Sequence, residues 1–180
     1  MNDMEFATIA SAIKAAWPNA NIMPDKQSKD VWYTMLVDLE YPVCLNAIKQ
    51  LISTNIFPPS IAEIRQKCLA VCETPEKDWG DAWHSVVKAI GAYGHMREDE
   101  AMETFDVRTR SVVSRLGWRN ICHSENISAD RANFRMIYEA EQKADKEQKL
   151  LPETVRVQQE KIRQLSSGIV GRLENNAKKT

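Results

Sequence analysis

Apolar residues in this chain recur at spacings of three and four, and no stretch alternates apolar and polar positions with period two. That spacing marks one face of an α-helix, so the chain is constrained to an all-α fold. Trp79, Trp83, Val86, Val87 and Ile90 give the most regular stripe. Phe6, Ile9, Ala10, Ile13 and Trp17 form an earlier one, stopped by Pro18. Val31, Met35, Leu36 and Leu39 make a second helix, broken at Tyr41-Pro42, and Cys44, Ala47, Ile48, Leu51 and Ile52 make a third. Ile61, Ile64, Cys68 and Val71 line a fourth, opened by Ser60 and Glu63 in capping-box spacing. In that motif the hydroxyl and the carboxylate satisfy backbone donors that a first helical turn leaves free.

Further caps divide the remainder. Thr74-Pro75 is expected to open the helix of Trp79, with proline at its first position, and Gly94 to close it. REDEAMETFD carries acidic residues in a first turn, which suits the helix macrodipole. Asp106 starts a helix bearing Val112, Val113 and Leu116. Asn126 or Ser128 starts one bearing Phe134, Ile137 and Tyr138. After about residue 140 the character changes: EAEQKADKEQK holds no large apolar residue and reads as a solvated helix or a linker. Beyond Pro152, Val155, Ile162, Leu165, Ile169 and Leu173 form a thin stripe on a polar background, and ENNAKKT at the end reads as disordered. The expected organisation is two small packed helical subdomains, 1–73 and 75–140, with a polar, partly flexible helical extension over 141–180. At 180 residues and 43% hydrophobic content, a modest core is within reach.

Composition and motifs exclude several functions. The formal net charge is -1, without the basic excess of an electrostatic nucleic-acid binder. No GxxxxGK[ST], GxSxG or HExxH occurs, so no phosphate cradle, nucleophile elbow or zinc-helix motif is present. His84, His95 and His123 are scattered, and Cys122 and His123, being adjacent, point apart on a regular backbone. Cys68 and Cys72 stand one helical turn apart, but a zinc site needs a second pair, and cysteine on an apolar stripe is usually a small hydrophobe. The chain is therefore expected to be no enzyme, with no catalytic residue, metal site or cofactor. No secretory signal and no membrane-length apolar run is visible. The four cysteines are then expected to be reduced in the cytoplasm, where the Asn126-Ile127-Ser128 sequon is silent.

The segment SRLGWRNICHSEN, residues 114–126, gathers Trp, Cys, His and two Arg in a few positions. Gly117 stands where a helix stops in a left-handed turn, and Trp118 is placed to fold back on the last turn. With Ile121 they read as a structural corner. Arg108, Arg115 and Arg119 around it, with Val155, Ile162, Leu165 and Ile169 of the tail, are the candidate partner-binding residues. A thin apolar stripe with no adjacent core is what a partner-binding helix looks like. Two other readings of these features stay open. One is a DNA-binding accessory or transcription regulator that uses 108–119. The other is a scaffold whose tail forms a coiled coil.

Residues 31–66, VWYTMLVDLEYPVCLNAIKQLISTNIFPPSIAEIRQ, resemble the N-terminal domain of phage replicative-helicase loader/inhibitor proteins. The pattern falls on Trp32, Leu36, Asp38, Phe57, Pro59, Ser60, Glu63 and Ile64. WHSVVKAIGAYGHMREDEAM, LGWRNICHSEN and RANFRMIYEAE are similar to segments that follow that domain in phage proteins of Gram-positive hosts. The resemblance covers roughly residues 5–140. It implies a small all-helical phage adaptor in a bacterial host that binds a hexameric DnaB-type replicative helicase, restrains it and delivers it to an origin-bound replisome organiser. A single-strand-binding protein is a further candidate partner. The resemblance also implies that the N-terminal domain is the folded part, with the C-terminal region implicated in the grip. An adaptor of this kind should bind bare DNA weakly or not at all at physiological salt; a steep fall of affinity with salt in an oligonucleotide titration would instead mark a DNA-binding regulator.

Overall fold

The computed structural model describes residues 1–73 and 76–177, and the side chains of 167–177 lie outside the described residues. Ile169 and Leu173 are among those side chains, and Thr74 and Pro75 are outside altogether. Ten helices and no strand occur among the described residues. The chain divides into two compact units, Met1–Glu73 with Gln148–Thr180, and Thr74–Glu147.

The first unit opens with α1 (Asp3–Ala16), α2 (Lys26–Leu36), α3 (Tyr41–Thr54) and α4 (Ile61–Cys72). Capping boxes start three of them: Asn2 with Glu5, Asp25 with Ser28, and Ser60 with Glu63. α3 carries Pro42 in its first turn instead, where a missing N–H costs nothing. Phe6, Ile9 and Ile13 of α1, Leu36 of α2, Cys44, Ala47, Ile48 and Leu51 of α3, and Ile64 and Cys68 of α4 close one core. Val31 and Val71 depart from the apolar faces the sequence assigns them, at 53% and 37% exposed. On α2 the aromatic rings of Trp32 and Tyr33 pack on the core in place of Val31, and Tyr33 meets Phe6 edge-on at 5.3 Å. Larger rings cover more apolar surface, so the helix turns them inward.

The second unit holds α5 (Trp79–Tyr93), α6 (Glu98–Glu103), α7 (Val107–Leu116), α8 (Trp118–Cys122) and most of α9 (Ile127–Leu150). Asp78 caps α5, its carboxylate accepting the Asp81 N–H at 2.8 Å. The helix therefore starts after the Thr74-Pro75 dipeptide that the sequence favours as its opening. Asp106 and Asn126 accept backbone N–H groups at the starts of α7 and α9. Val86, Ala89, Val112, Val113, Trp118, Phe134 and Tyr138 form the second core, whereas Val87 is 46% exposed.

Gly117 ends α7 and begins α8 at φ 85°, and a Cβ there would lie 2.8 Å from the Asn120 side chain. That conformation sets the following indole inward. Trp118 is 1% exposed and donates its indole N–H to the Gly94 carbonyl at 3.1 Å. Gly94, at φ 60°, is itself the C-cap of α5, so one tryptophan ties the ends of two helices. Ile121 lies buried beside it. Trp118→Ala is expected to destabilise this unit by about 3–5 kcal/mol, the cost of emptying a buried indole site, measured by urea unfolding followed by circular dichroism.

Candidate partner-binding site

The tail stripe lies on α10 (Glu153–Ala177). Val155 is half-buried, while Val157, Ile162 and Leu165 are 48%, 57% and 69% exposed. Arg156, Lys161 and Arg163 stand exposed around them, with Glu160 3.8 Å from Arg163. Residues 148–180 carry seven Lys or Arg against three Asp or Glu, in a chain whose formal net charge is -1. The extension is thus a basic helix with an uncovered apolar face among its described side chains. Such a helix suits an apolar groove with acidic flanks.

The root of α10 is built into the first unit. Arg65 of α4 stands on the same face as Ile61, Ile64 and Cys68, and its side chain is 6% exposed. Its guanidinium forms a fork with Asp38, Nη1 to Oδ1 at 2.7 Å and Nη2 to Oδ2 at 2.9 Å. Nη1 also donates to the Met35 carbonyl at 2.7 Å, and Nε donates to the Leu150 carbonyl at 2.6 Å. Asp38 lies in the turn between α2 and α3 and accepts the Glu153 N–H on Oδ2 at 3.2 Å. Pro152, which is buried, takes the N-cap position of α10, its carbonyl receiving the Arg156 N–H at 3.0 Å. Proline has no side-chain acceptor for a cap. Asp38 supplies the carboxylate from another helix connection, where it also meets the positive end of the α10 dipole. Lys149 adds an ion pair to Glu73 at 3.2 Å.

The arginines near the corner have different fates. Arg108 is committed inside the second unit, 3.0 Å from Glu76 and 2.9 Å from Asp145, with Tyr138 5.5 Å beneath its guanidinium. Its side chain is 16% exposed, and its Nε is buried without a partner. The sequence places Arg108 on a partner surface; the structure turns its charge onto carboxylates instead. Arg115 is exposed and bonds Glu141 at 3.2 Å, an acceptor that Ser111 shares at 3.1 Å. Arg119 is exposed. Gln142 reaches Glu76 at 3.0 Å. Glu141, Gln142 and Asp145 belong to the run that reads as plain solvated helix, and arginines from α7 turn its inner edge into a polar seam.

The remaining candidates for chemistry do not converge. Cys68 is buried and hydrogen-bonds Cys44, a contact that, with burial, holds the Cys44 thiol up, whereas Cys72 is exposed. Among the described residues no three His, Cys, Asp or Glu side chains are placed to hold a metal ion. Burial and the nearby Glu98 carboxylate raise the Cys122 thiol. The His123 ring lies 4.5 Å from that of His95. No helix among the described residues is long and apolar enough to cross a membrane.

The fold of the first unit has a counterpart. Residues 1–65 match the family described as the phage gene 39 protein, N-terminal domain. This is the N-terminal domain family of phage helicase loader/inhibitors, and the matched segment ends on the clamp residue Arg65. Residues 66–180 lie beyond the match. No curated protein and no solved structure matches the chain.

Arg65 is the functional residue that the sequence reading passes over. Its signal is a charged side chain on the apolar stripe of α4, which requires a buried counter-charge. Burial pushes the Asp38 carboxyl up, but the Arg65 hydrogen bonds and charge, with the Glu153 N–H, outweigh it and leave the carboxyl below its ordinary value. Asp38→Ala, leaving the buried guanidinium unpaired, is expected to destabilise the first unit by about 3–5 kcal/mol in urea unfolding. A lowered carboxyl contributes stability fully above its unfolded pKa of about 3.9 and loses it as pH falls through the lower folded value. The difference between wild type and Asp38→Ala should accordingly shrink only in the acid range.

Proposed function

We propose that this chain is a phage DNA-replication adaptor that binds a hexameric DnaB-type replicative helicase, restrains it and delivers it to a replisome organiser at the origin. The observation that carries this reading is the match of residues 1–65 to the N-terminal domain of phage helicase loader/inhibitors, joined to a basic helix whose apolar face is uncovered. α10 provides the grip through Val155, Ile162, Leu165 and Ile169, and Arg119 and Arg115 offer a second, charged contact. An adaptor without nucleotide hydrolysis of its own acts by binding the helicase's conformational states unequally, so the helicase's nucleotide cycle sets when it lets go. The DNA-binding alternative loses ground because Arg108 and Arg115 are already paired with carboxylates.

Burying an exposed Ile or Leu contributes about 1.5–3 kcal/mol each, so Ile162→Asp with Leu165→Asp should weaken helicase binding at least about a hundredfold. Circular dichroism should stay unchanged, because both side chains are exposed. Size-exclusion chromatography with the purified helicase, with and without ATP, checks this. Wild-type protein that elutes apart from the helicase in both conditions would reject the adaptor reading.

A further inference from the structure

We infer that Asp38 and Arg65 are positioning residues for the docking helix: the loader-type N-terminal domain is the socket from which α10 presents Ile162 and Leu165 in a set direction. This rests on the reading of α10 as the grip. The Asp38–Arg65 fork would be complete with two residues, yet the cluster also holds backbone atoms of residues 150 and 153. Those two atoms flank Leu151-Pro152, the joint between α9 and α10. Holding both sides of a joint fixes the direction in which the next helix leaves.

The geometry makes that direction matter. Twelve residues of helix separate Glu153 from Leu165, a lever of about 18 Å, so a swing of about 10° at the root moves the leucine by about 3 Å. An apolar side chain displaced that far misses its pocket. A pre-set arm also loses less conformational freedom on binding than a tethered one, and that difference appears as affinity. The ion pair fits such a role better than a purely stabilising one. A well-packed apolar pair of similar volume commonly serves a core as well or better, whereas a fork with directed donors specifies geometry. The guanidinium makes four bonds here, and the one to Leu150 grips the joint directly.

Glu153→Pro separates positioning from folding. Proline is tolerated at the first helical position and lacks the N–H that Asp38 accepts, so the joint loses that bond while the Asp38–Arg65 fork stays. The paired change Asp38→Leu with Arg65→Met keeps the volume filled and removes the fork. Backbone ¹⁵N relaxation on the full chain gives the first readout. In wild type, amides 154–165 should tumble with those of α3 and α4. In both variants they should tumble faster, with the α3–α4 signals and the melting temperature held. Helicase affinity should then fall about tenfold, less than in the Ile162→Asp, Leu165→Asp variant, because the apolar face survives and only its pre-set direction is lost. Wild-type α10 amides that already move independently of α3 and α4 would overturn the inference whatever the helicase does. So would variants whose α10 loosens while affinity holds. If wild type does not bind the helicase at all, the adaptor reading falls and the relaxation data alone judge the socket.

Discussion

A buried guanidinium must be answered by a carboxylate and by enough acceptors to occupy its donors, and the organisation of the first unit follows from meeting that demand at Arg65. Asp38 answers the charge, which fixes the turn between α2 and α3 against α4. The Met35 carbonyl takes a second bond from the end of α2. The remaining acceptor comes from Leu150, far along the chain. A single side chain thereby sets the placement of three helices and the point where the extension begins. Neighbouring apolar contacts supply most of the favourable burial, but they are non-directional; the fork is what selects one arrangement among several that would bury similar area.

How much of this can be read beforehand depends on the reach of the interaction. Caps act within four residues, so Ser60 with Glu63, Asp106, and Gly94 and Gly117 as helix stops are all visible in the linear text. The stripe Phe6, Ile9 and Ile13 is equally local. Periodicity misplaces Val31 and Val71 because a helix turns its largest side chains inward, and which face that is depends on neighbours the text does not name. The fork needs residues 38, 65, 150 and 153 together, and no periodicity connects them. Arg108 shows the same limit from the other side: an arginine near a tryptophan looks like a surface reader until Glu76 and Asp145 are found against it.

The tail illustrates how polar sequence is used differently in two places. In α9, charged residues face arginines of α7 and become a seam that holds helices in register. In α10, Arg156 and Lys161 surround apolar side chains that nothing described in the chain covers. Both runs are lysine-, glutamate- and glutamine-rich, and composition alone does not part them. Ile162 and Leu165 do, because solvent-facing aliphatics on a long helix have a reason to exist only where something else will cover them.

The first unit is discontinuous: residues 74–147 form a separate compact body between its two pieces. On a ribosome, α1 to α4 emerge long before Leu150 and Glu153, and the second unit is complete in between. The Arg65 fork can close on Asp38 at once, but Nε and Oδ2 must wait, solvated, for a segment synthesised some eighty to a hundred residues later. The bonds that seat the docking helix are therefore the last of the unit's to form as the chain is made, so the socket stays open until the helix it receives is itself being synthesised.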